Sequence, residues 1–342
     1  MQGFRSDKNR PRATGSVTLG DVAKLAGVSP ITVSRALNQP DKVAPKTLAK
    51  VQKAIDLTGY VPNLLAGGLA SRRSRLIAAL VPSIANSVYA ETIKFFSERM
   101  REAGYQVLLG ESGYTEEQEE SLIATILRSR PDGVFLTGTN HSSQAKRLLM
   151  AANIPVVETW DITPTPLDVV VGFSHQRVGR SVADFLVSRN KGKIGILSAT
   201  DHRAQIRQQA FLETLEKKGV TDVAISTVPV PTSFLAGRVG MACLLDNGFI
   251  NGAVFCSSDT LAQGALTEVQ SRGLAIPDQI AMVGFGDQPF AAHTVPSLTT
   301  IKFDRALMGR KAAGALLSRF NDEPVIEKTI DVGFQLIERQ TT

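Results

Sequence analysis

From Leu76 onward, short runs rich in apolar and β-branched residues alternate with segments of helix length. The runs include LIAALVP, YQVLLG, DGVFLT, IPVVE, KIGILS, VAISTVPV, GAVFC and IAMVGF. Helix-length stretches lie near 88–103, 115–129, 143–152 and 205–218, after Ser233, after Ser258, and over 304–319. This rhythm admits few folds. Strands that alternate with helices form open parallel sheets with helices on both faces. About ten strands exceed one comfortable doubly wound sheet, so two similar lobes are expected. Such sheets bind ligands beyond the carboxyl ends of their strands, here in a cleft between lobes.

The first 75 residues do not follow this rhythm, and their charge differs. They hold 13 Lys and Arg against 4 Asp and Glu, a net +9, so the other 267 residues carry −3 of the total +6. A basic head on a slightly acidic body suits a polyanionic partner. The alternative is a merely solvated basic tail through Arg5, Lys8, Arg10 and Arg12. No apolar run in the first 25 residues makes a secretory signal, and no stretch has the length of a membrane span, so a cytoplasmic protein is expected. Cys243 and Cys256 match no metal spacing and are expected as buried thiols in a reducing compartment.

Within the head, Thr18 can cap a helix through LGDVAKLA, with Val22, Ala23, Leu25 and Ala26 on its apolar side and Gly27 ending it. Ser29 can cap a second helix, with Pro30 at its first position, where a missing N–H costs nothing. A third helix follows Pro45, with Leu48, Val51 and Ile55 on one face. Two short helices about a Gly turn, braced by a third, make a helix-turn-helix unit. Its core is small, so Ala23, Val28, Val33 and Leu37 are expected to be buried. The second helix then presents Thr32, Ser34 and Arg35 outward, Arg35 toward a base edge or phosphate and the hydroxyls toward phosphates. An ordinary surface helix is the alternative.

The stretch TLGDVAKLAGVSPITVSRALNQPDKVAPKTLAKVQKAIDLTGYVPNLLAGGLAS resembles the headpiece and hinge of the lactose-repressor (LacI/GalR) family of bacterial transcription regulators. The resemblance rests on the spacing DVAxxAGVSxxTVSRxLN, on the GYxPN after it, and on a hinge segment. It implies a homodimer on palindromic double-stranded operator DNA. It also implies DNA-binding roles for Thr18, Ser29, Pro30, Ile31, Thr32, Ser34, Arg35 and Asn38, with Pro30, Ile31 and Arg35 reading bases. In the hinge, Leu69 takes the place of the family's minor-groove wedge, followed by Ala70. Gly67 and Gly68 disfavour a helix there, so the hinge is expected to be helical only on DNA. Arg72, Arg73 and Arg75 then lie near phosphates or in solvent.

The body resembles the effector domain of the same family, which shares its fold with periplasmic sugar-binding proteins. The expected architecture is therefore a small all-α helix-turn-helix headpiece plus an α/β two-lobed periplasmic-binding-protein-like effector domain. It divides into a basic tail (1–15), a headpiece (16–62), a hinge (63–74) and an effector-binding and dimerisation domain (75–342). The expected lobes are 75–174 with 304–332, and 175–303 with 333–342.

Enzymatic motifs are lacking. There is no GxxxxGK[ST] loop and no GxSxG elbow. GFGDQ lacks a third glycine and opens no helix. His141, His175, His202 and His293 show no HxxxH or HExxH spacing, so neither metal nor cofactor is expected. A sugar-processing enzyme survives only as a fold-level possibility, and a periplasmic sugar carrier is opposed by the attached helix-turn-helix.

The resemblance implies an effector pocket made by Tyr89, His141, Trp160, Asp161, Arg203, Arg207, Phe234, Ser258 and Asp287. Tyr89 and Trp160 can equally be packing residues, and His141 a loop histidine without a role. Asp259 reads as a helix cap. In GFGDQ the usual acid position is taken by Gly286, which leaves a clamp by Asp287 in question. The segments VPSIANSVYAE, GYTEEQEESL, LTGTNH, IPVVETWDITPTPLDVVVGF and GAVFCSSD resemble the family's gluconate-utilisation repressors. A sugar acid requires a cation for its carboxylate, for which Arg207 backed by Arg203 is the candidate. Gluconate is the expected effector, with 2-ketogluconate, a phosphorylated sugar or another sugar as alternatives.

Overall fold

Reciprocal capping starts the first helix, α1 (Leu19–Ala26). The Thr18 hydroxyl accepts the Asp21 N–H at 3.3 Å, while the Asp21 carboxylate accepts the Thr18 N–H at 2.8 Å. These bonds to Thr18 hold the Asp21 carboxyl below the usual carboxylate range. Gly27 ends α1 in the left-handed region at φ +67°, where a side chain would be strained. Helix α2 (Pro30–Asn38) is capped by Ser29 and has Pro30 in its first turn; α3 (Pro45–Thr58) ends at Gly59. Val22, Ala23, Ala26, Val33, Ala36, Val51 and Ala54 form the core. All are Val or Ala, so the helices pack closely. That closeness corrects three expectations: Leu25 is 55% exposed, and Val28 and Leu37 are only half-buried at the margin.

The structure is a computed structural model that describes residues 17–61, 74–189, 192–324 and 327–342. The tail 1–15 and the hinge residues Leu69 and Ala70 lie outside the described residues. By its internal contacts the chain divides between Ser74 and Arg75.

The second unit contains two six-stranded sheets. The first sheet comprises β1 (Leu76–Val81), β2 (Gln106–Glu111), β3 (Gly133–Thr137), β4 (Val156–Thr159), β5 (Val169–Gly172) and β11 (Thr329–Asp331). Their spatial order is β11-β5-β4-β3-β1-β2, all parallel. The second sheet comprises β6 (Lys193–Ala199), β7 (Val223–Val228), β8 (Gly252–Cys256), β9 (Ile280–Phe285), β10 (Thr299–Lys302) and β12 (Gln335–Ile337). It repeats the winding as β12-β10-β9-β8-β6-β7, with only β12 antiparallel. The two-lobed α/β fold expected from the rhythm is therefore present, with twelve described strands rather than about ten.

Covering helices are α4 (Ala90–Glu102), α5 (Glu116–Leu127), α6 (Ser143–Ala152), α7 (His175–Ser188), α8 (His202–Lys217), α9 (Phe234–Asp246), α10 (Asp259–Ser271) and α11 (Arg305–Phe320). Helix α7 was not foreseen, although a Ser174 cap followed by Val178, Val182 and Leu186 at four-residue spacing marks it. Helix α11 packs on α4, and α7 packs on α8. Where the chain passes between sheets, Phe173 and Phe303 stack at 4.4 Å, with Trp160 and Phe285 against Phe303 at 5.2 and 5.5 Å. One apolar core thus runs through both lobes. Cys256 is buried, as expected, but Cys243 is exposed on α9, because its neighbours Leu244 and Leu245 take the inward positions.

Candidate functional site

In the headpiece, the start of α2 is a preformed outward face. Ser29, Pro30, Ile31, Arg35 and Asn38 are exposed, and Thr32 and Ser34 half-buried. Ile31, Arg35 and Asn38 fall at helical spacing along one line. Ile31, 72% exposed, has no core to serve. The hydroxyls are less free than expected. Ser29 Oγ accepts the Thr32 N–H at 3.2 Å and lies 2.9 Å from Thr32 Oγ1, and Thr18 is occupied in its capping box. The Asn38 amide donates to the Ser34 carbonyl at 2.9 Å. The face therefore offers one guanidinium and apolar carbons, because Pro30 has no N–H and Ser29 takes the Thr32 and Val33 N–H groups.

In the second unit, the strand order of each sheet reverses at one point, with the strands still parallel: between β1 and β3, and between β6 and β8. Ligand crevices open at such points, beyond the strands' carboxyl ends. Two small adjoining chambers lie there, of about 60 and 100 Å³, sharing Tyr114, Asp201 and Arg203. A larger groove of about 590 Å³, lined by Gln208, Glu213 and Ile225, lies elsewhere, and no buried polar atom without a partner faces it among the described residues. The chemistry is concentrated in the smaller chambers.

Arg207, on α8, is buried. Its Nη1 donates to His175 Nδ1 at 2.8 Å and its Nη2 to the Ser257 carbonyl at 2.9 Å; its guanidinium carbon lies 3.9 Å from the Phe285 ring centroid. Its Nε has no partner. Burial pulls its pKa down to about 10, so it stays a cation at neutral pH. One turn earlier, Arg203 donates from Nη2 to the Tyr89 hydroxyl at 2.6 Å, and its Nη1 has no partner. Burial pushes the Tyr89 phenol up to about 12, so it remains a neutral acceptor. Tyr89 meets Trp160 edge-on at 4.9 Å. Trp160 sits at φ +69°, a strained position for a bulky side chain. Asp161 is buried and its pKa is raised by that burial; it accepts from Thr139 and from the Ile162 N–H.

Tyr89, Trp160, Arg203, Arg207 and Ser258 line the first chamber together, and Asp161 with Arg203 lines the second. Three candidates lie elsewhere. His141 is enclosed inside the first lobe, 2.9 Å from Glu119 and 3.4 Å from Glu158, lining neither chamber. Burial alone lowers its pKa, but the two carboxylates outweigh this and raise it to about 9. Phe234 is half exposed against Phe290, because it opens α9 on the outer side. Asp287 turns away to Arg339 at 2.7 Å. Gly286 at φ +127° and Asp287 at φ +43° swing the chain so that Gln288 lines the chamber instead, bonded to Ser87 across the cleft at 2.9 Å. Ser258, not Asp259, caps α10; Asp259 is buried, accepting from Gln288 N–H and Thr300, with burial raising its pKa to about 6. Reasoning from sequence missed His175, Tyr114, Asp201, Ser257, Phe285 and Gln288.

Among the described residues, no helix is long and apolar enough to cross a membrane, and no group of acids, His or Cys is arranged for a metal. The family model "Bacterial regulatory proteins, lacI family" matches residues 18–63, and "Periplasmic binding protein-like domain" matches 183–342. The HTH-type transcriptional regulator GntR of Pseudomonas aeruginosa is 38% identical over 341 residues, covering 99% of each chain. A LacI-family transcriptional regulator from Silicibacter pomeroyi superposes with a TM-score of 0.87 at 33% identity, over 95% of this chain and 99% of its own. The lac repressor dimer bound to operator and the anti-inducer ONPF gives 0.79 at 26% identity, over 96% and 99%. A helix-turn-helix with an outward recognition face, a two-lobed body and full-length regulator relatives together place this chain in the lacI family of DNA-binding transcriptional repressors, not among enzymes.

Proposed function

We propose that this chain is a homodimeric, cytoplasmic repressor of sugar-acid catabolism genes that reads a palindromic operator and is released by a gluconate-type acid. The observation that carries the effector reading is the pair of cationic N–H groups, Arg203 Nη1 and Arg207 Nε, left without partners beside the cleft. Donors on buried cations are costly to leave unmade, and an acid's carboxylate and hydroxyl oxygens are the acceptors they lack. Tyr89, Trp160, Asp161 and Ser258 supply polar and aromatic surfaces for a polyol chain. The full-length relatives are transcriptional regulators named GntR, and the body segments quoted above resemble gluconate-utilisation repressors. Pairing of two chains is supported by apolar side chains left outside on an edge strand and its flanking helix: Ile225 on β7, and Leu235 and Val239 on α9, the latter two 70% and 59% exposed. On DNA, Arg35 reads a base edge or phosphate, and Pro30 and Ile31 offer carbon to a thymine methyl.

An acid that favours one arrangement of the lobes shifts operator affinity by its preference for that arrangement. The test is titration calorimetry of the full chain with gluconate, 2-ketogluconate, 6-phosphogluconate and ribose, paired with operator gel shifts. Gluconate or its keto acid is expected to bind and to release DNA. Tight binding of ribose with none of the acids would overturn the sugar-acid reading. Gluconate binding undiminished by Arg207→Ala would overturn the clamp.

A further inference from the structure

His175 is buried and lies between two partners of opposite character. Its Nε2 is 2.7 Å from the Trp160 carbonyl oxygen, and its Nδ1 is 2.8 Å from Arg207 Nη1. A carbonyl only accepts and a guanidinium only donates. The imidazole must therefore be neutral, with its proton on Nε2 and its lone pair on Nδ1. Burial first, and the charge of Arg207 next, hold its pKa well below the ordinary value, in agreement with that geometry.

The approach of His175 to Arg207 is built into the backbone. Gly179 lies one turn after His175 on α7. A Cβ there would stand 2.3 Å from the Arg207 carbonyl oxygen and 3.0 Å from the Phe211 N–H nitrogen. Only glycine allows α7 and α8 this close, and the closeness brings the imidazole to the guanidinium. With Nη1 on His175, Nη2 on the Ser257 carbonyl and the plane over Phe285, the orientation of Arg207 is set at three points. The Nε–H is the donor left over.

We infer that His175 is a positioning residue for the anion: its Nδ1 lone pair fixes Arg207 so that Nε–H stays available to an acid, and its Nε2–H ties that clamp to the Trp160 carbonyl. This inference rests on the proposed sugar-acid reading. It predicts that the acceptor at Nδ1 matters for affinity more than the donor at Nε2.

Two substitutions separate the roles, because an Asn amide oxygen sits where Nδ1 does, two bonds from Cβ, whereas Gln places its terminal atoms near Nε2. The experiment is calorimetry of the full chain with gluconate on the parent, His175→Ala, His175→Asn and His175→Gln proteins, each checked for retained operator binding. His175→Ala is expected to weaken gluconate on the order of tenfold, the factor one charge-assisted hydrogen bond carries. His175→Asn is expected to restore most of that loss and His175→Gln little of it. Equal affinity in all four proteins, or rescue by Gln and not Asn, would overturn the positioning role while leaving the sugar-acid reading intact. A parent protein that binds none of the acids would remove both.

Discussion

The headpiece and the body present their functional groups in opposite ways. On α2, Ile31 and Arg35 stand outside a core of small side chains and contribute little to it. In the cleft, Arg203, Arg207, His175 and Trp160 are interlocked by hydrogen bonds and ring contacts that also join the lobes. A surface that must fit many base sequences is made from replaceable side chains on a rigid frame. A sensor that must change state when its ligand arrives puts its binding groups into the structure that moves. Substitutions are thus expected to separate recognition from stability in the headpiece, and to entangle them in the body.

The largest effect expected is at His141. Replacing it with Ala leaves Glu119 and Glu158 without their buried cation, at a cost of about 3 kcal/mol in body stability by thermal unfolding. The pH dependence follows. The folded imidazole holds its proton up to about 9, whereas an unfolded one loses it near 6.5, so the contribution is complete below pH 6.5 and lost as pH climbs through about 9. Unfolding of the parent at pH 6 and 9.5 should show that loss, and the variant should lack it. A second, comparable effect is Arg35→Ala, about 1–3 kcal/mol of operator affinity with relaxed choice at one base pair and an unchanged melting temperature. A melting temperature that fell with it would break the contrast. Thr18→Ala should cost the headpiece about 1 kcal/mol by removing half of its capping box, with no change in acid binding. The smallest effect expected is Ile31→Ala: stability within about 0.5 kcal/mol, with altered preference at a single base pair in a binding-site selection.

The same contrast decides what was legible beforehand. Thr18, Gly27, Ser29, Pro30 and Gly59 act on neighbours three or four residues away, so their roles can be read from spacing. The strand–helix rhythm likewise reveals the sheets, because burial on two faces leaves unbroken apolar runs. The cleft is another matter. His175 and Arg207 are 32 residues apart, and nothing local to either announces the other. The shifted acid in GFGDQ already left a clamp by Asp287 in question, and two left-handed backbone angles at 286 and 287 hand the place to Gln288. The resemblance places Phe234 in the pocket, but opening a helix on the outer side leaves it facing Phe290. Helix α7 was readable from its cap and apolar spacing, and its omission hid His175 as well.

Strands β11 and β12 have a consequence for how the chain is made. Each completes a different sheet, and both come from residues 329–337, after everything else in those sheets. Translation delivers the headpiece first. At bacterial-scale speeds of about 5–20 residues per second, roughly 15 to 50 s separate its emergence from the arrival of β11. During that interval a nascent chain carries a finished DNA-binding unit with neither half of its sensor closed. A nonsense or frameshift mutation anywhere between the hinge and Thr329 makes that interval permanent, giving a headpiece that no metabolite can instruct.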